Sequence, residues 1–276
     1  MPAAYLSICA VFKDEGPYLR EWIEFHRLVG VERFYLYDNG SADNSREVLS
    51  PYVEQGIAVV RDWPIWPAQI QAYDHCLKHN GSDARWIAFI DIDEFLFSPT
   101  GRPVAELLVE FERWPGVGVN WCVFGSSGHR TMPPGLVIES YLHRSEGEGP
   151  NRHIKSIVDP RQVRAFCVPH FFMYREGWAV DENHRPITKG PLTFTERVSF
   201  SRLRVNHYAV KSEQEFRSKL ERGPADSSVP KRDLWDEAGI QRRLKLWNDV
   251  EDRDILVYLP ALREALAAAE ELESRA

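Results

Sequence analysis

The chain has 276 residues, 43% hydrophobic and 12% aromatic, enough to bury one large core or one core with a smaller appendage. A net charge of -7 and a pI near 5.8 argue against a surface that coats nucleic acid. No stretch approaches a transmembrane span and Met1-Pro2-Ala3-Ala4 lacks the basic start of a signal peptide, so a cytoplasmic or cytoplasm-facing chain is expected. Cys9, Cys76, Cys122 and Cys167 show neither Cys-x-x-Cys nor zinc spacing and read as reduced thiols.

Residues 5–12 form an apolar run that predicts a first strand, ending at Lys13-Asp14-Glu15-Gly16. Apolar residues at helical spacing follow (Leu19, Trp22, Ile23, Phe25, Leu28, Val29), closed by Gly30. A second strand over 33–37 stops at the turn-rich stretch 38–45, whose Asp43, Asn44 or Ser45 caps the next helix. A third strand is expected over 57–62 and a helix from Ala68 to Asn80. The run Trp86-Ile87-Ala88-Phe89-Ile90-Asp91-Ile92-Asp93-Glu94-Phe95 then reads as a buried strand delivering two aspartates. Ligands of open α/β sheets collect at the carboxyl ends of such strands, where paired carboxylates hold a divalent cation against a phosphorylated substrate. The alternation predicts an α/β fold with a mainly parallel sheet.

Regularity falls after Asp93. A short amphipathic helix is expected over 104–111 and a strand over 116–124. That strand runs into Gly125-Ser126-Ser127-Gly128-His129-Arg130, a surface turn or an acceptor-lining loop. Residues 130–151 are irregular. A strand over 152–158 carries Lys155, which either meets an anion or is solvated. Alternation over 198–208 predicts a late strand containing His207, and Ser212 with Glu215 forms a capping box for the helix beyond. Residues 223–233 read as a linker or flap, and 262–272 as an alanine-rich helix packed on the catalytic domain.

Three segments, Phe12-Lys13-Asp14-Glu15-Gly16-Pro17-Tyr18-Leu19, Tyr37-Asp38-Asn39-Gly40-Ser41-Ala42-Asp43 and Phe89-Ile90-Asp91-Ile92-Asp93-Glu94-Phe95, together resemble nucleotide-sugar glycosyltransferases of the GT-A fold, in the family 2-like and family 92-like group. The likeness covers the first half of the chain most closely. It implies a GT-A-type sheet flanked by helices, an irregular acceptor half and C-terminal helices. It also implies one catalytic domain over 1–222, divided into 1–97 for the nucleotide sugar and 98–222 for the acceptor, with 223–276 as linker and packed helices.

The resemblance further implies that the first loop, with Lys13 and Glu15, holds the nucleotide and that Asp38 contacts uracil or ribose. Asp91 and Asp93 would bind ribose and a Mn2+ or Mg2+ on the diphosphate. The family's Lys-Ser-Ile-Val and His-Tyr-x-x-Lys-Ser segments imply Lys155 and Lys211 as phosphate contacts and His207 as a third metal ligand. A recurring Gly-Ser/Thr-Ser-Gly-His segment implies that Ser127 and His129 line the acceptor. The expected reaction is metal-dependent sugar transfer from a nucleotide-diphosphate donor, UDP by preference, to a glycan or other hydroxyl, with inversion. Of Glu139, Glu146, Asp181 and Glu182, the loop residues Glu146 and Asp181 are put forward as catalytic base. A phosphatase-like hydrolase with Asp91 as nucleophile and a noncatalytic sugar-nucleotide or glycan-binding module remain the alternatives.

Overall fold

The structure is a computed structural model that describes residues 3–188, 193–222 and 236–273. Its first half alternates as expected: β1 (Ala4–Phe12), α1 (Gly16–Leu28), β2 (Arg33–Asp38), α2 (Ser45–Glu54), β3 (Ala58–Asp62), α3 (Gln69–Asn80) and β4 (Ala84–Phe89). β1 is apolar on both faces because both are covered. Leu6, Ile8, Ala10 and Phe12 join the core that holds Trp22 and Phe25 of α1, while Cys9 and Val11 join one with Ala72 and Cys76 of α3. Pro17 sits in the first turn of α1, where a missing N–H costs nothing, and Gly30 takes φ +97° just past its end.

The second half contains β5 (Glu94–Phe97), α4 (Val104–Leu108), β6 (Gly116–Val123), α5 (Val137–Ser140), β7 (His143–Arg144), α6 (Glu148–Asn151) and β8 (Ile154–Val158). β9 (Val163–Val168), β10 (Phe171–Tyr174), β11 (Arg204–His207), α7 (Glu213–Arg222), α8 (Glu237–Lys245), β12 (Val250–Glu251) and α9 (Leu259–Glu273) follow. Eight strands form one sheet in the order β3-β2-β1-β4-β8-β6-β11-β5. Four of its ladders are parallel (β2–β3, β1–β2, β1–β4, β6–β11) and three antiparallel (β4–β8, β6–β8, β5–β11). This is the GT-A-type α/β architecture that the sequence predicts.

The sheet must curl. β4 and β5 lie four positions apart, about 19 Å in a flat sheet. The five peptide steps from Phe89 to Glu94 reach at most about 18 Å fully extended, and they include a turn in which Glu94 N–H bonds the Asp91 carbonyl at 3.1 Å. Curling brings β11 and β5 over the carboxyl end of β4.

Two expectations are corrected. The late strand is confined to Arg204–His207, because the N–H groups of Ser201, Arg202 and Leu203 donate to the buried Glu182 carboxylate at 2.7–2.9 Å instead of to a ladder. The β9–β10 hairpin and α8 stand where no such elements were expected. Of the three residues expected to cap α2, Asp43 accepts from Ser45 N at 3.0 Å, while the N-cap residue Asn44 makes no side-chain cap.

The Ser212–Glu215 capping box is present, with Glu215 N donating to Ser212 Oγ at 3.3 Å and Ser212 N to Glu215 Oε2 at 3.1 Å. α9 packs against α1, burying Leu262. The linker expected over 223–233 lies outside the described residues. Among the described residues no helix is long and apolar enough to cross a membrane.

Candidate active site

β4 ends at Phe89 and its aspartates follow in the turn to β5. There Asp91 N–H donates to Glu94 Oε2 at 2.9 Å. Glu94 pairs with His207 across the β5–β11 ladder, and Tyr208 N–H donates to the Asp93 carbonyl at 2.8 Å. His207 Nε2 therefore stands 3.6 Å from Asp93 Oδ2, joining two segments more than a hundred residues apart. The neighbouring Arg204 fixes β11 from its other end. It is buried, and its guanidinium donates to Asp252 Oδ1 at 2.6 Å, Asp254 Oδ2 at 3.0 Å and Asn206 Oδ1 at 2.6 Å.

Lys155 of β8 is 1% exposed and donates to Asp91 Oδ2 at 2.8 Å, with Glu94 Oε2 at 3.2 Å. Burial works against its charge, but Asp91 and Glu94 outweigh burial and hold its pKa above the ordinary lysine range. Burial, helped by Asp91 and Asp93, pushes the Glu94 carboxyl up to about 8 against the pull of Lys155. Asp91 Oδ1 accepts from Gln69 Nε2 at 2.7 Å.

Lys219 of α7, which the sequence reading did not single out, contacts Asp93 Oδ2 directly and the Ala209 carbonyl at 3.2 Å. Burial raises the Asp93 pKa, but Lys219 and then His207 hold it well below the carboxylate range. Burial lowers the His207 pKa, which Asp93 partly offsets. Lys211, at φ +55°, rests its ammonium 3.0 Å from the centre of the Tyr18 ring and 3.9 Å from Glu15 Oε2; burial lowers its pKa.

Asp93 and His207 fit a divalent cation. Ligands about 2.1 Å from an octahedral ion stand about 3 Å apart, close to the gap they show. Asp91 does not join them: its oxygens face Gln69 and Lys155, because the buried Lys155 needs a counter-ion. Among the described residues no three His, Cys, Asp or Glu side chains form a complete metal group, so the expected triad of Asp91, Asp93 and His207 is not assembled. Oxygens of ligand and water would fill the other positions.

The other expected site residues divide. Lys13 and Glu15 lie half-buried in the loop after β1. That loop is locked to the one after β2: Gly16 N donates to Asp43 Oδ2 at 2.8 Å and Asp14 N to Ser41 Oγ at 3.0 Å. Asp38 is 3% exposed, with Ser41 N donating to one oxygen at 2.8 Å and Arg46 Nε to the other at 2.7 Å, so it orders its turn and is not an open acceptor. Burial opposes its charge, but the Ser41 and Arg46 bonds prevail and lower its pKa.

Ser127 Oγ accepts from Leu142 N at 2.9 Å and His143 N at 3.0 Å, and His129 Nε2 bonds the Ser140 carbonyl at 3.0 Å; both brace their loop. Asp181 also turns inward, Oδ1 accepting from Asn183 N and Arg185 N at 2.8 and 2.9 Å. Its neighbour Val180 bridges to Val117, near the start of β6, whereas Asp93 and His207 stand at the carboxyl ends, so Asp181 is not beside them. Glu146 is exposed beyond the carboxyl end of β6, and its carboxylate bonds none of the described residues.

The sequence pattern of glycosyltransferase family 92 matches residues 4–242. The chain belongs to glycosyltransferase family 92. A family 92 protein of Arabidopsis thaliana is 29% identical over 231 residues, covering 79% of this chain and 37% of its own length. A galactan beta-1,4-galactosyltransferase of the same plant is 28% identical over 176 residues, 58% of this chain and 34% of its own. The family 92 chain thus spans about a third of the length of these curated relatives. Among solved structures, S. aureus TarS 1-349 in complex with UDP overlaps loosely, with TM-score 0.37 and 11% identity over 57% of this chain and 47% of that one.

Proposed function

We propose that the family 92 chain transfers a sugar from a UDP-linked donor to a hydroxyl acceptor with a divalent cation, Mn2+ or Mg2+, held by Asp93 and His207. The 3.6 Å pair at the carboxyl end of β4, with Lys219 on Asp93 and Lys211 beside Glu15, carries this reading. Breaking an anomeric carbon–phosphate oxygen bond leaves negative charge on the departing diphosphate. The cation, when bound, supplies charge to stabilise it. Lys219 and Lys211 hold further positive charge in the same cleft, while Lys155 keeps Asp91 and Glu94 in place. Relatives named as galactan galactosyltransferases support galactose as the sugar and a β-1,4-galactan as acceptor. Inversion needs a base for the acceptor hydroxyl, and the exposed Glu146 is open to that role where the inward-bonded Asp181 is not.

The test is donor turnover. Incubation with UDP-galactose, Mn2+ and a β-1,4-galactan oligosaccharide should release UDP and lengthen the oligosaccharide, and His207→Ala should stop both. Phosphoaspartate trapped at Asp91 would favour a hydrolase instead, and donor binding without turnover a binding module. The engagement of Asp91 by Gln69 and Lys155 speaks against a nucleophile there.

A further inference from the structure

The sheet face that carries the site changes character across its strands. Lys155 pairs with Val119 and His207 with Val123 across their ladders, so both share a face with Trp121, which lies between those two positions on β6. Around the Trp121 indole stand three imidazoles, with ring centroids 4.3 Å away for His207, 4.8 Å for His153 and 5.1 Å for His170. Phe194 closes on His153 at 4.2 Å. Lys219 of α7 contacts Asp93, and Lys211, just before α7, stands 3.9 Å from Glu15; neither is among the rings that touch the indole.

This imidazole–indole floor is poor core material. Each neutral imidazole offers one donor and one acceptor, and the indole one donor. Trp121 Nε1 and the Nδ1 atoms of His153 and His207 are nevertheless buried without partners. His170 Nδ1 is satisfied by the Ile154 carbonyl at 3.1 Å and His207 Nε2 faces Asp93 at 3.6 Å, while Nε2 of His153 and of His170 bonds none of the described residues. Unsatisfied polar atoms converging on one ring point to a missing polar ligand. Burial lowers the His153 pKa and brings that of His170 down to about 3, so both rings are uncharged near neutrality. A phosphate finds no cation among them. A sugar ring, with apolar C–H faces and hydroxyls that both donate and accept, suits a half-exposed indole ringed by neutral imidazoles.

We propose that Trp121, His153 and His170 form the saccharide subsite: a pyranose stacks on the indole with its hydroxyls bonded by the two imidazoles, while the diphosphate lies toward Lys211 and Lys219. The assignment rests on the nucleotide-sugar reading above and orients the ligand in the cleft. The pyranose belongs either to the donor or to the acceptor.

Calorimetry with UDP and with UDP-galactose, each with Mn2+, and the KM for a β-1,4-galactan oligosaccharide separate the two sources, using Trp121→Leu and His153→Phe. In both variants UDP should bind within about twofold of wild type. A loss of about tenfold or more confined to UDP-galactose places the donor sugar on the floor, and one confined to acceptor KM places the acceptor there. His153→Phe keeps a ring in the packing and serves if Trp121→Leu fails to fold. Equal weakening of UDP and UDP-galactose, or no change in any of the three quantities, overturns the subsite while leaving the nucleotide-sugar reading intact. Failure of wild type to bind UDP at all overturns both.

Discussion

Lys219 shows how a single side chain sets the state of the site. Its ammonium neutralises Asp93, the carboxylate best placed to take a metal, so an incoming cation must displace it. Lys219→Met should therefore tighten Mn2+ binding without nucleotide by about tenfold, the factor that about 1.4 kcal/mol of lost competition represents. Electron paramagnetic resonance of free Mn2+ measures this, and unchanged or weaker binding would make Lys219 a packing residue. At this scale the aspartate pair and His207 were legible, because apolar runs and a family-like segment surround them. Lys219 was not. It lies 126 positions beyond Asp93 on an ordinary charged helix, and only folding brings the two together.

Between elements, buried carboxylates do much of the joining. Glu21 of α1 accepts the first N–H groups of α5, Val137 N at 2.7 Å and Ile138 N at 3.1 Å. Burial raises its pKa to about 7 despite those two bonds. The sign follows from proton counts. Between about pH 4.5 and 7 the folded chain holds a proton at Glu21 that the unfolded chain has released, so this contribution to stability falls as pH rises through that window. Glu21→Gln should remove the dependence: stability of variant relative to wild type should climb by about 3 kcal/mol from pH 4.5 to 7 and stay level above it. Urea unfolding at several pH values reads the difference, and a flat difference would contradict the raised pKa. Glu182 joins elements in the same way, and its capture of three backbone N–H groups is why alternation over 198–203 did not become strand.

For the molecule as a whole, the cleft lies where the parallel strands β1–β4 meet the mixed closure through β8, β6, β11 and β5. A ligand that bridges the two halves stabilises the folded chain by linkage, by about 2.7 kcal/mol at a hundredfold excess over its dissociation constant. UDP with Mn2+ should raise Tm by about 5 to 10 °C, and UDP with chelator by far less. An equal rise in both conditions would remove the cation from nucleotide binding.

Sequence alone determined the βαβ alternation, since strands covered on both faces must be apolar throughout and helices covered on one face must repeat every three to four residues. It also determined that two aspartates follow closely on a buried strand, though not that the strand breaks before them, between Phe89 and Glu94. Tertiary structure decided which carboxylates are open. Asp38 ends β2 at a turn and Asp181 lies in a loop, positions that look exposed in sequence, yet both accept from backbone or guanidinium donors nearby. Asp91 turned to Lys155 rather than to Asp93 because a lysine with 1% exposure cannot remain unpaired. The closure of the sheet, which sets His207 against Asp93 and three imidazoles around Trp121, depends on ladders between residues far apart in the chain, and such pairings leave no local periodicity to read.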